Sequence, residues 1–401
     1  MVPAFASATG SAPAVTLAEL AADPHPHLAR LRAEGPVVRV EALGGWLVTG
    51  RELAVRVMRD AETFTVDDPR FTTAKVIGPS MLSLDGGEHV RHREPFVEPF
   101  KPRAVHAAFA GTIRAEADRL LDALAPGGCG ELRRGFAGPL AAVVMAEVLG
   151  LTEVPVSDVL GWYDAIVRAV DQLTRGQDAG VEGPAAYAAL RDAVAATVGA
   201  GGAEGSGGDG GLLRGAAGRL GLPEIAANAA VLLFGGIETT EGMIVNALYH
   251  LLSEPALADE VRADPALLDG AVEESLRLEP GAAVVDRYAT RDVEFGGARI
   301  AAGDLVIVSL AGANRDPAVF PEPDRFDLRR ANSRLQLAFA HGPHYCLGAH
   351  LARLEATIAL RACFDRLPGL RLDETRPSAP YGLVFRKPLT LAARWDTPAA
   401  G

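Results

Sequence analysis

The chain has 401 residues, and its 49% hydrophobic content is enough to fill a sizeable core in one large domain or two ordinary ones. Acidic residues outnumber basic ones by 51 to 39, and the formal charge of −12 argues against a nucleic-acid binder held by phosphate contacts. Three scattered cysteines, Cys129, Cys346 and Cys363, make no disulfide framework and point to a reducing cytoplasm; neither the N-terminal stretch nor the apolar runs around 140–156 and 225–237 reads as an export signal or a membrane span.

Residues 1–15 are expected to be disordered, and Leu17–Glu34 to form a first helix closed by Gly35 and Pro36. Val37–Val40 and Trp46–Val48, joined through Gly44 and Gly45, alternate as a strand hairpin. Arg51–Asp60 has helical spacing. Thr63–Leu84, broken by Pro69, Gly78 and Pro79, reads as a long irregular segment of the kind that is usually functional inside a compact domain. Asp85, Gly86 and Gly87 then precede a basic cluster in which His89 and Arg93, four residues apart, share a helix face. Two cationic donors so placed suit a carboxylate or a phosphate, and a solvated surface accounts for the same spacing. Helical patterns follow at Val105–Leu124, Phe136–Leu149, Val156–Gln172 and Pro184–Val198, and Gly199–Gly211 reads as a flexible surface loop.

The longest helical run opens at Pro223 and continues to Ser253; roughly 30 residues at 1.5 Å rise span about 45 Å, which marks a central helix. Its middle carries Gly235, Gly236, Glu238, Thr239, Thr240 and Glu241 where a buried helix would carry apolar side chains. Glycine costs about 1 kcal/mol against alanine there, so either a flat object approaches or two helices cross closely with the acids in solvent. Asp264 and Pro265 cap a helix to Leu278 in which Glu274 and Arg277 can pair at i, i+3. Strand patterns at Val284–Ala289, Val293–Ile300 and Leu305–Leu310 give way to a proline-rich meander containing Asn314, Arg315, Asp316 and Pro317. The meander leads to Phe339-x-x-Gly342-x-His344-x-Cys346-x-Gly348, just ahead of a helical run over 349–364. A thiolate in a Gly-rich turn at a helix N-terminus gains from free backbone N–H groups and the positive end of the dipole. On the residues alone, Cys346 suits a metal ligand, a nucleophile or a buried cysteine without function.

Together and in this order, these stretches resemble the cytochrome P450 family. The Cys346 stretch is similar to the family's haem-binding loop, Glu274 and Arg277 to its Glu-x-x-Arg pair, and Gly235, Gly236, Glu238 and Thr239 to the oxygen motif of its central helix. His89-x-x-x-Arg93, the strand at Arg287 and the Asn314–Pro317 meander extend the match over about residues 85–350. Ala340 departs from it, standing where the family usually carries glycine or another small polar residue.

The resemblance implies a mainly α fold with small β-sheets, a single domain over 16–401, and haem b held between the long central helix and the cysteine loop with its helix. It makes Cys346 the axial thiolate, with Phe339 packed nearby and Gly342 and Gly348 letting the loop pass close to the ring. His89, Arg93, Arg287 and His344 become candidates to meet the porphyrin propionates. Gly235 and Gly236 would make room for dioxygen, Glu238 and Thr239 would deliver protons, and Glu274, Arg277, Asn314 and Arg315 would be structural. The expected activity is monooxygenation of an apolar or amphipathic small molecule, a natural-product tailoring hydroxylation or epoxidation, in the cytoplasm. The substrate wall is expected from Val76–Leu84 (Met81 and Leu82 foremost), the Tyr163–Leu173 region, Phe234, Ile237, Val284, Val285 and Val384. Electrons from NAD(P)H would arrive through a reductase and a separate acidic ferredoxin docking on Arg91, His92, Lys101, Arg103, Arg353 and Arg361. The rival readings are peroxide-driven or radical-coupling oxidation on the same fold, a non-catalytic haem-thiolate protein, and a zinc site of Cys346, His344 and His341.

Overall fold

Apolar side chains on every face of one long helix set the architecture of the protein, here a computed structural model that describes residues 15–174, 176–199 and 211–397. Leu222–Ser253 runs unbroken, with Pro223 in its first turn and the Gly221 N–H donated to Glu224. Gly138–Leu149, Glu182–Gly199, Leu268–Leu278 and Ala349–Arg366 all pack against it. Its apolar window is long enough to cross a membrane, but 78% of that window is buried inside the protein, as befits a core helix. The helix that follows Cys346, Ala349–Arg366, lies along Pro102–Leu124, and together these elements form the largest core cluster.

A five-stranded sheet covers one side, in the order Val37–Val40, Gly45–Val48, Leu305–Ser309, Val284–Ala289, Phe64–Thr65. Gly45–Val48 and Leu305–Ser309 run parallel; the other pairs are antiparallel. Side chains alternate across a strand, so Val285, Arg287 and Ala289 share one face and Val284, Asp286 and Tyr288 the other. Val285 accordingly packs against the core cluster that includes Leu337, and Val284 against the separate cluster that includes Leu20, Leu28 and Leu31 of the N-terminal helices.

Several boundaries differ from the sequence reading. The first helix is two, Leu17–Ala22 and His25–Glu34, because Pro24 cannot continue a helix through Asp23. The irregular segment before residue 84 contains the strand Phe64–Thr65 and the helix Thr72–Ile77. A π-helical turn, Arg133–Ala137, precedes Gly138–Leu149, and a 3₁₀ turn, Pro265–Leu267, precedes Leu268–Leu278. The Gly-rich stretch 200–210 and residues 1–14 lie outside the described residues; Val15, expected to be disordered with them, is buried in the N-terminal cluster.

Candidate active site

The cysteine loop is closed by its own backbone and braced from behind. The Cys346 N–H donates to the Phe339 carbonyl at 2.9 Å and the Ala340 N–H to the Leu337 carbonyl at 2.8 Å. Between them Ala340 takes φ +58° and Gly342 φ +75°. A Cβ on Gly342 would stand 2.4 Å from the Met58 carbonyl, so the approach of the Arg51–Arg59 helix by itself requires a glycine here. Behind the loop, the Asn314 side chain accepts from the Leu337 N–H at 2.6 Å and donates to the Leu276 carbonyl. Arg353 pairs with Glu273 and lays its guanidinium 4.3 Å from the centre of the Phe339 ring. Arg277 grips Glu274 with two bonds of 2.8 and 2.7 Å, and both side chains are fully buried. Arg315 extends the brace, donating to the Leu278 carbonyl and to Asp324.

Cys346 is solvent-accessible on its loop. Burial pushes its pKa up, and the Gly348 N–H together with the charges of Arg93 and Arg353 works in the opposite direction. A Cβ on Gly348 would meet nothing closer than the Phe100 ring at 3.9 Å.

The central helix opens onto space along one stripe. Val231, Gly235 and Thr239, at i, i+4 and i+8, are partly exposed together with Gly236 in a stretch that is otherwise buried. The two glycines divide their roles. A Cβ on Gly235 would meet nothing within 4 Å, whereas one on Gly236 would stand 2.2 Å from the Met145 sulfur. Gly236 therefore lets Gly138–Leu149 pack closely. Thr239 donates its hydroxyl to the Gly235 carbonyl at 2.6 Å, leaving its oxygen lone pairs directed elsewhere.

Glu238 and Glu241 are buried, contrary to the reading that leaves them in solvent, and share one cation. Lys387 Nζ stands 2.7 Å from Glu238 Oε1 and 2.5 Å from Glu241 Oε2, and the Tyr163 hydroxyl donates to Glu238. Arg133 and Arg134 complete the pairing of Glu241, and Gly138 leaves the room that its carboxylate occupies. Burial alone would raise the Glu241 carboxyl; Lys387, Arg133 and Arg134 outweigh it and lower it. Burial and the two carboxylates push the Tyr163 phenol far up, so it remains a donor. Arg134 also pairs with Asp164, both about one-third exposed, which links the cluster to the surface.

The predicted anion donors lie near one another. His89, buried on Gly86–Val97, leaves its Nε2 without a hydrogen-bond partner, and its ring centre lies 4.3 Å from that of His344. His344 is hydrogen-bonded to Asp85 at 2.8 Å. Burial alone would raise the Asp85 carboxyl, but bonds from His344, Thr65 and the Val66 N–H hold it well below the usual carboxylate range. Burial lowers His89 to about 4, helped by the charges of His344 and Arg93, and lowers Arg287 to about 10 against the pull of Asp85 and Asp286. Arg93 donates to the Tyr345 carbonyl beside Cys346.

Other expected residues are placed differently. Ile237 is fully buried in the core, Met81 and Phe234 are nearly so, and Val284 lies on the opposite sheet face from Arg287; Leu82, Val285 and Val384 are partly open. Phe234 meets Phe385 edge to face at 5.3 Å. Of the basic residues, His92 is buried, Arg353 is half-buried against Glu273, and Arg91, Lys101 and Arg361 pair with neighbouring carboxylates, while Arg103 is exposed. Among the described residues no three His, Cys, Asp or Glu side chains group as metal ligands; His341 faces Arg59 and His344 faces Asp85, which removes the zinc reading. Lys387 was missed. It is one of three lysines, with Lys75 and Lys101, yet it lies nearly 150 positions from its acids, and spacing carries no signal over that range.

Comparison with known proteins identifies the family. The Cytochrome P450 family profile matches residues 213–378. The chain is 39% identical to cytochrome P450 monooxygenase PikC of Streptomyces venezuelae, over 91% of this chain and 90% of that one. It is 34% identical to 20-oxo-5-O-mycaminosyltylactone 23-monooxygenase of Streptomyces fradiae, over 87% and 83% respectively. It superposes on the cytochrome P450 enzyme CxnD for C–S bond formation in chuangxinmycin biosynthesis with TM-score 0.83 and 28% identity, covering 97% of this chain and 100% of that one. The chain belongs to the cytochrome P450 family and is an oxidoreductase; the family implies haem, small-molecule substrates and a redox partner. The residues present fit haem: the buried His89 Nε2 without a partner, the Arg93 charge beside it, an accessible Cys346, and Gly235 with open space at its Cβ position.

Ala340 carries a testable cost. An L-residue in the left-handed region pays roughly 1–2 kcal/mol that glycine avoids, less the extra entropy glycine loses on folding. Ala340→Gly should therefore stabilise the protein by about 0.5–1 kcal/mol, read as a higher midpoint in thermal melts; an unchanged or lower midpoint would show the alanine to be unstrained.

Proposed function

We propose that the protein is a monooxygenase that inserts one oxygen atom of O2 into an apolar or amphipathic small molecule, as a hydroxylation or epoxidation in natural-product tailoring. The observation that carries this reading is the neighbourhood of Thr239. Its hydroxyl lies on the open stripe, while the adjacent Glu238 is built into a polar cluster that reaches the surface pair Arg134 and Asp164. Two of the relatives named above carry monooxygenase in their names, one of them for a mycaminosyl-tylactone.

In this reading Cys346 binds the haem iron through its thiolate, and His89, Arg93, Arg287 and His344 meet the propionates. The bound haem supplies O2 activation, for which thiolate donation favours O–O cleavage. Thr239, its proton engaged by the Gly235 carbonyl, offers the cavity an acceptor, which suits it to steady a proton-bearing group there. Glu238 supplies protons that it recovers through Tyr163 and Lys387, both within hydrogen-bonding reach of it. Lys387 positions Glu238 and keeps the two buried carboxylates from repelling each other. Leu82, Val285 and Val384 give the partly open wall its apolar character.

The electron donor is proposed to be a separate acidic ferredoxin, supplied from NAD(P)H through a reductase and docking around Arg103 with Arg91, Lys101 and Arg361. The three paired residues bring Glu88, Glu224, Glu98 and Asp365 with them, so the attraction is weaker than their number suggests. Similarity to CxnD, named for C–S bond formation, favours a second reading in which the same site couples radicals without oxygen insertion.

The reduced CO-difference spectrum tests the haem: a thiolate-type Soret shift is expected, and its absence in folded, haem-supplemented protein would falsify the reading. With a substrate found by spin-state shift, 18O2 should label the product; an unlabelled coupled product supports the second reading. In that turnover Glu238→Gln should slow product formation on the order of 100-fold and Thr239→Ala should divert reductant to hydrogen peroxide, whereas undiminished product yield in both sinks the proton role. Arg103→Glu should slow reduction by ferredoxin steeply at low salt and little at high salt; equal rates at both remove the docking site.

A further inference from the structure

Asn228 is a fully buried amide on the central helix, seven residues before Gly235. Seven residues turn through about 700°, roughly 20° short of two full turns, so Asn228 shares a helix face with Gly235 and Thr239, about 10 Å along the axis from Gly235. It stands in line with the open stripe, at one end of it.

Three of its four hydrogen-bonding positions are used. Its Oδ1 accepts the Met81 N–H at 2.8 Å. Its Nδ2 donates to the Glu224 carbonyl at 2.8 Å and to His92 Nδ1 at 3.0 Å. The first bond reaches the turn Ser80–Ser83, the last reaches the helix Gly86–Val97, and His92 is itself buried. The amide is thus oriented by two donations and presents its oxygen in a fixed direction.

The turn is otherwise held by its own groups. The Ser83 N–H donates to the Ser80 carbonyl at 3.0 Å and the Ser80 N–H to Ser83 Oγ at 3.1 Å. Ser80, Met81 and Ser83 are buried, while Leu82, at the tip, is partly open. The Met81 N–H has its partner in Asn228, and leaving a buried N–H unpaired costs about 1–3 kcal/mol. Without Asn228 the turn relaxes until that N–H finds another acceptor, and Leu82 moves with it.

We propose that Asn228 is a positioning residue for ligand size: by holding the Met81 N–H it fixes the Ser80–Ser83 turn over the end of the open stripe, and the position of Leu82 there selects the apolar small molecules that fit beside Gly235 and Thr239. The inference rests on the reading of this cavity as the haem and substrate site.

The test uses the haem-loaded full chain with two nitrogen ligands of the ferric iron, imidazole and the bulkier 4-phenylimidazole, titrated by their Soret shifts. Asn228→Ala should change the ratio of the two dissociation constants at least about fivefold, a difference of about 1 kcal/mol, while imidazole alone changes by less than about twofold. Hydrogen exchange at the Met81 amide should rise in the same variant. An unchanged ratio, or unchanged exchange at Met81, overturns the proposal. If Asn228→Ala does not fold, Leu82→Ala on the intact background should shift the ratio, and a constant ratio there overturns it equally. A parent protein that folds but shows no thiolate-type CO spectrum sinks the haem reading instead, and exchange at Met81 still decides whether Asn228 holds the turn.

Discussion

The constraint on which the site depends is the burial of Arg277. All five guanidinium N–H groups are used: two on Glu274, and one each on the carbonyls of Asn314, Pro323 and Arg325. Glu274 in turn accepts from Arg330 and from the Asp327 N–H. An ion pair with no exposure contributes little net stability by itself, because desolvation offsets the attraction, yet removing either partner strands a charge at a cost of about 3–5 kcal/mol. Here the charge is tied to three carbonyls of an irregular meander that has little regular structure of its own. Arg277 is therefore the most deeply buried of the side chains that hold the meander, beside Arg315 and Arg330, and the same meander holds Leu337 through Asn314, two residues before Phe339. Position of the thiol follows from that chain of bonds.

A second buried cluster works on the other side of the molecule by a different logic. Lys387 faces two carboxylates one helical turn apart, and its charge alone does not neutralise both. Arg133 and Arg134 supply the balance to Glu241, which leaves Glu238 with Lys387 and a neutral phenol. The acid beside the open stripe is thus the less heavily paired of the two. An acid that must exchange protons is better placed in such a position than in the saturated environment of Glu274, where every oxygen is committed to a guanidinium or a backbone N–H.

The parts of the site legible in the sequence are those in which chemistry and spacing coincide locally. The i, i+3 pair of Glu274 and Arg277, the cysteine turn ahead of a helix, and the His89 and Arg93 face are all short-range patterns, and the structure places each on the element expected. What was not legible depends on long-range packing. Gly235 and Gly236 are equivalent as letters, and only the arrival of Met145 distinguishes a packing glycine from one that faces space. Val284 and Val285 are adjacent and alike, and the sheet register sends them to opposite faces. His92 reads as one more charge in a basic run, but its neighbour across the fold is the Asn228 amide, which makes it a buried acceptor.

Ala340 joins the two kinds of information. The sequence marks it as a departure at a position that favours glycine, and the structure shows the backbone there keeping the left-handed conformation with a side chain present. The geometry is retained because the Ala340 N–H is bound to Leu337, which Asn314 holds, and because Cys346 closes back on Phe339. A loop fixed at both ends by backbone bonds carries the strain at residue 340 in exchange for keeping those bonds. The cost falls on stability and the thiol keeps its place, so the brace behind the loop, more than the residue within it, determines where Cys346 stands.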